Sequence, residues 1–81
     1  MDAAELEKTI FQILHELTSI PTSELSLEDN LRTDVNLDSV SSLELLGMID
    51  EEFGIEIDLY EVRDVKTIRD IVELAHTKTL P

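Results

Sequence analysis

Cysteine is absent from the 81-residue chain. That absence removes a disulfide framework, a thiolate metal site and a cysteine nucleophile together. Glycine occurs only at Gly47 and Gly54, so there is no glycine-rich phosphate loop. The only histidines, His15 and His76, fall in separate apolar-periodic stretches, and neither has a partner at metal-ligand or catalytic spacing. Asp50-Glu51-Glu52 is consecutive and lacks the alternating ligands of a calcium loop. Basic residues are scarce, with 6 Lys and Arg against 19 Asp and Glu and a net charge of -13. Such a charge repels nucleic-acid phosphates and anionic membranes, and it attracts partners with basic patches. No apolar run approaches transmembrane length. Met1-Asp2-Ala3-Ala4-Glu5 lacks the basic and apolar regions of a secretory signal. The expectation is a cytoplasmic protein with no nucleic-acid partner, no stable membrane insertion, no metal site and no active site of its own.

What is present suffices for one small domain spanning 1–81. Apolar content is 42%, ordinary for a globular chain. Leu6, Ile10, Ile13, Leu14 and Leu17 recur at helical spacing and predict a first helix over about 3–17, opened by Asp2 with Glu5. His15 is read as a solvated surface residue of that helix. Ser19-Ile20-Pro21-Thr22-Ser23 breaks it. A long connection then runs to Asp38, with Ile20, Leu25, Leu27, Leu31, Val35 and Leu37 scattered along it. Loops of this length are uncommon inside small domains and are often functional. Their apolar residues are expected to pin it across the helices.

A second helix is predicted over 39–53, stopped by Gly54. At about 100° per residue, Leu45, Leu46, Ile49 and Phe53 share the core side. Val40, Leu43, Glu44, Gly47, Asp50 and Glu51 share the other side, with Met48 at the border. Ile55 and Ile57 alternate with Glu56 over too few residues to make a strand. Asp58 to Val62 reads as a short helical turn capped by Asp58. Thr67 with Asp70 opens a last helix over about 67–76, with Val65, Ile68, Ile71, Val72 and Ala75 apolar. Thr77 to Pro81 should be frayed. The class is all-α: a small four-helix bundle, three main helices plus one short helix, with a long loop between helices 1 and 2.

The stretch Leu37-Asp38-Ser39-Val40 organises this pattern. Asp and Ser are N-cap residue types, so Ser39 should open the second helix near the surface with its hydroxyl free. A helix N-terminus offers unpaired N–H groups and partial positive charge, which suit a phosphate ester. Position alone favours an ordinary cap, the common use of these residue types. From Asp34 to Glu61, however, the chain holds many carboxylates and no Lys or Arg. The acidic excess is centred on Ser39 and its helix, and an apolar stripe ringed by acids reads as a docking surface.

Leu31-x-x-Asp34-Val35-x-Leu37-Asp38-Ser39-Val40, Leu43-Glu44-Leu45 and Asp50-Glu51-Glu52-Phe53-Gly54-Ile55-Glu56-Ile57 resemble the acyl carrier proteins. The resemblance spans nearly the whole chain. It implies a noncatalytic carrier with phosphopantetheine on Ser39, donated by coenzyme A through a phosphopantetheinyl transferase. The arm's thiol would hold acyl cargo as thioesters, which accords with the missing cysteine. Asp38 matches the acidic neighbour that the transferase recognises. Glu44, Asp50 and Glu51 match acidic positions on the partner-facing helix, and Val40, Leu43 and Gly47 lie among them. The implied partners are acyl-transferring, synthase or acyl-activating enzymes with basic docking patches, in fatty acid, lipid or polyketide-type biosynthesis. The implied state is a monomer. In related proteins the acyl chain enters between helices, and Leu45, Leu46, Ile49, Ile57 and Ile71 are the corresponding lining. Three positions depart from the family: Val40 for the commoner Leu, Asn36 for a frequent Gly, and Gly47 for a bulky apolar residue. A D-alanyl or aminoacyl carrier, and an acidic interaction domain without a prosthetic group, are the alternatives.

Overall fold

The computed structural model describes residues 2–79. Three helices, α1 (Ala3–Thr18), α2 (Ser39–Phe53) and α3 (Ile68–Thr79), are joined by a long first loop carrying a 3-10 turn at Thr22–Glu24 and by a second, turn-rich segment. The all-α class is as the sequence predicts, but the fourth helix is not formed. Among the described residues no helix is long and apolar enough to cross a membrane.

α1 buries Leu6, Ile10, Ile13 and Leu14 along one stripe. Asp2 Oδ1 accepts the Ala4 N–H at 3.1 Å and caps the start. At the far end Ser19 turns left-handed, with φ 66, and donates its N–H to His15 O at 2.7 Å. His15 is half-buried, not solvated: its Nδ1 lies 2.9 Å from Ile20 O. A carbonyl only accepts, so Nδ1 carries the proton. The imidazole thereby ties the chain leaving α1 back onto the helix, a contact that no local period reveals.

The first loop is held at both ends of its span. Leu25, Val35 and Leu37 are buried, and Leu27 and Leu31 pack against the core. Asn30 Oδ1 accepts the N–H groups of Arg32 and Thr33 at 2.9 and 3.0 Å, while Asp34 Oδ2 accepts the Asn30 N–H at 2.7 Å. Main-chain bonds then stitch the loop to the start of α3: Leu31 N–H to Lys66 O at 2.8 Å, Ile68 N–H to Asp29 O at 3.0 Å and Arg69 N–H to Leu27 O at 2.9 Å. A Glu28–Arg69 ion pair crosses the same seam. Asn36, with φ 64, takes the left-handed geometry that its residue type tolerates in place of glycine.

Residues 54–66 hold no strand. Asp58 Oδ1 accepts from Tyr60 and Glu61 N–H at 2.8 and 3.1 Å, and Glu61 Oε1 accepts the Asp58 N–H at 3.2 Å. The expected cap is therefore made, but no helix grows from it. The main-chain bonds that follow run three residues back: Glu61 to Asp58, Arg63 to Tyr60 and Val65 to Val62. Lys66 O then accepts the Leu31 N–H and joins this segment to the first loop.

α3 starts on a reciprocal box. Asp70 Oδ2 accepts from Lys66 and Thr67 N–H at 3.0 and 3.1 Å, and Thr67 Oγ1 accepts the Asp70 N–H at 3.2 Å. It extends to Thr79, beyond the expected end at 76, because Lys78 Nζ pairs with Glu61 at 2.6 Å and holds the last turn. Of the expected frayed end, Leu80 and Pro81 lie outside the described residues. Leu6, Ile10, Leu14, Ile49, Ile68 and Ile71 form the fully buried centre. α1 packs on both α2 and α3, whereas α2 and α3 barely touch. That splay leaves space between them.

Two stability measurements follow. The main-chain N–H groups of Lys66, then Thr67, hold the Asp70 carboxyl below the usual aspartate range. A carboxyl lowered in the folded state stabilises above its ordinary pKa and loses that contribution as pH falls through the lowered value. Asp70→Ala should cost ~1 kcal/mol at neutral pH, seen as a melting temperature about 4–8 °C lower. The gap between wild type and Asp70→Asn should narrow as pH drops below about 4. On α2, Gly47 is exposed and an added Cβ would meet nothing within 4 Å. Gly47→Ala should therefore raise stability by roughly 0.5–1 kcal/mol in denaturant titration, through helix propensity alone. A loss would show that glycine is needed in the helix itself.

Candidate functional site

The start of α2 is built by one carboxylate. Asp38 is extended, with φ -90 and ψ -174, and its Oδ1 accepts the Ser41 N–H at 2.8 Å. The first regular helix bond runs from Ser42 N–H to Asp38 O at 2.9 Å. Ser39 is thus the first helical residue, and the partial positive charge of the helix end lies at its main chain. Ser41, through its N–H and then its hydroxyl, holds the Asp38 carboxyl below the usual aspartate range.

That arrangement distinguishes three neighbouring serines. Ser41 is half-buried, and its N–H is held by the Asp38 carboxylate. Ser42 is half-buried and lines the space between the helices. Ser39 is exposed, and its hydroxyl makes no hydrogen bond among the described residues. A phosphodiester on this hydroxyl would meet outward N–H groups at a helix end and no buried obstacle, so the residues present fit such a group.

Ser39 also sits on the edge of a cleft of about 630 Å³ between the start of α2, loop residues 30–33 and the turns before α3. Its walls are mostly aliphatic. Leu45, Leu46 and Ile71 line it as expected from the resemblance, together with Leu37, Leu43, Leu59, Val62 and Val65. Ile49 and Ile57, also expected there, do not line it; both pack in the core away from the cleft.

On the outer side of α2, Val40 is 65% and Leu43 52% exposed, and Glu44, Gly47, Asp50 and Glu51 are exposed around them. Two apolar residues missing from the sequence-based set join this surface class: Leu59, 58% exposed, and Tyr60, 79% exposed. A two-residue apolar step in a turn carries no period, so its exposure is not readable from pattern. The fold also draws in three bases that sequence reasoning set aside. Arg32 and Arg63 lie just outside the base-free window on either side, Lys66 a little beyond, and all three line the cleft beside Ser39.

Comparison with known proteins agrees with this geometry. The family described as Phosphopantetheine attachment site matches residues 8–75. The acyl carrier protein of Acidothermus cellulolyticus is 32% identical over 76 residues, covering 94% of this chain and 90% of its own. Those of Saccharopolyspora erythraea and Thermosynechococcus vestitus are each 30% identical, covering 91% and 96% of this chain and 78% and 96% of theirs. Among solved structures, an apo doublet acyl carrier protein from prodigiosin biosynthesis superposes with a TM-score of 0.76 at 25% identity; the match covers all of this chain and 43% of that one. An acidic interaction domain without a prosthetic group is thereby set aside. The chain belongs to the acyl carrier protein family, as a noncatalytic carrier with a phosphopantetheine attachment site.

Proposed function

We propose that Ser39 bears the phosphopantetheine and that the protein, a monomer of the cytoplasm, presents acyl thioesters to enzymes of fatty acid, lipid or polyketide-type biosynthesis. The observation that carries the assignment is the contrast among the serines: Ser39 alone of the three is exposed and unengaged at the helix start. When bound, the group supplies a thiol that holds acyl chains as thioesters, chemistry that the cysteine-free chain lacks.

In the loading step the Ser39 oxygen loses its proton and forms a bond to phosphorus, while the phosphoanhydride bond of coenzyme A breaks and the nucleotide leaves with the electron pair. Asp38 is a poor base for that proton, because Ser41 holds its carboxyl low. Its part is to fix the helix start and to present charge to the transferase, which must supply the base. Glu44, Asp50 and Glu51 give the outer face of α2 an acidic field that steers basic partners, and Val40 and Leu43 offer the apolar contact between them.

Intact mass after incubation with coenzyme A and a phosphopantetheinyl transferase tests the assignment. Wild type, Ser41→Ala and Ser42→Ala should each gain one phosphopantetheine. Ser39→Ala should gain none while keeping its fold, since an exposed change stays within ~0.5 kcal/mol. Loading that persists in Ser39→Ala would move the site. A second experiment addresses docking. Glu44→Lys should slow association with a basic-patched transferase or synthase and flatten its salt dependence, with little change in stability. An unaltered association rate would take Glu44 out of the interface.

A further inference from the structure

The chain has six Lys and Arg. Arg69 pairs with Glu28 and Lys78 with Glu61. Of the other four, Lys8 is exposed on α1 away from the cleft; Arg32, Arg63 and Lys66 are exposed, and among the described residues none of these three has a carboxylate within salt-bridge distance. Lys66 feels the Asp70 side chain only at longer range. In a protein so short of bases, all three line one cleft, the same cleft that Ser39 edges. Around it, the acidic face of α2 carries the opposite sign.

The cleft therefore offers two chemistries at once. Leu45, Leu46 and Ile71 supply an aliphatic wall; Arg32, Arg63 and Lys66 supply positive charge. A plain hydrocarbon uses only the wall. An aminoacyl chain brings an ammonium toward three like charges. A chain with an aliphatic body and an anionic end uses both. We propose that the cleft selects acyl cargo ending in a carboxylate, a dicarboxylic acyl group, with Arg32, Arg63 and Lys66 as the residues that recognise that end. The proposal rests on the reading of Ser39 as the attachment site, since the tether keeps the cargo beside this cleft. It also weighs against the D-alanyl and aminoacyl alternative.

The test uses three eight-carbon cargoes that differ only at the far end: suberoyl, octanoyl and 8-aminooctanoyl. Each is loaded from its coenzyme A thioester by a phosphopantetheinyl transferase. The readout is the rate of thioester cleavage by neutral hydroxylamine, followed by intact mass and normalised to the same thioester on free coenzyme A. Wild type is compared with Arg63→Gln and with the triple variant Arg32→Gln, Arg63→Gln, Lys66→Gln. Thermal melts of the unloaded proteins confirm that these exposed changes leave the fold intact. Protection of the suberoyl form should fall about fivefold in the triple variant, the scale of one good exposed ion pair, with a smaller fall in Arg63→Gln. Octanoyl protection should be unchanged, and 8-aminooctanoyl protection should hold or rise. Suberoyl protection that ignores the three substitutions overturns the proposal. An equal fall for all three cargoes also overturns it, because the cations would then act on the arm's phosphodiester, common to every form. If wild type takes up no arm at all, the mass shows it before any thioester is measured. Then the attachment reading itself fails, and the cargo proposal with it.

Discussion

The hydrogen bond from Ser41 N–H to the Asp38 carboxylate fixes where α2 begins, and most of the site depends on that register. A start one residue later would take Ser39 out of the first turn. With the cap in place, Leu45 and Ile49 point into the centre while Val40, Leu43 and Glu44 point out. The same bond lowers the basicity of Asp38. One contact thus sets the exposed hydroxyl at the helix start and leaves proton removal to a partner.

The second constraint is the splay of α2 from α3. α1 touches both, and they scarcely touch each other. In a chain this short, a gap of that kind is maintained only if something else covers its ends. The first loop does so, through its bonds from Leu27, Asp29 and Leu31 to the start of α3. Those bonds carry Arg32 to the cleft, and the turns before α3 carry Arg63 and Lys66. The acidic face and the basic cleft are therefore kept apart by the fold rather than by sequence order. Long-range attraction of basic partners and local attraction of anionic cargo do not compete on one surface.

What was legible in the sequence is what local chemistry decides. α2 was placed at 39–53 because an Asp-Ser cap and a glycine stop flank it, and Gly54 is indeed left-handed with φ 65. Asn36 was readable for the same reason, since few residue types accept a positive φ. The cap at Asp58 and the box at Thr67 formed as their spacing implied. What failed depends on partners far along the chain. The turns after Asp58 close on three-residue bonds and do not become a helix, and α3 runs on to Thr79, where Lys78 finds Glu61. His15 reaches a carbonyl beyond the helix end and becomes a latch. The convergence of three bases on the cleft was hidden most completely, since the base-free window in sequence lies between residues that the fold brings together.

The most direct measurement is to locate the prosthetic group on the chain itself. Fragmentation of the intact, arm-bearing protein by a method that preserves phosphodiesters reads the mass residue by residue through α2. The account predicts one step of a single phosphopantetheine at Ser39, with unmodified masses at Asp38, Ser41 and Ser42. A step at any other residue, or modification spread over several serines, would contradict it.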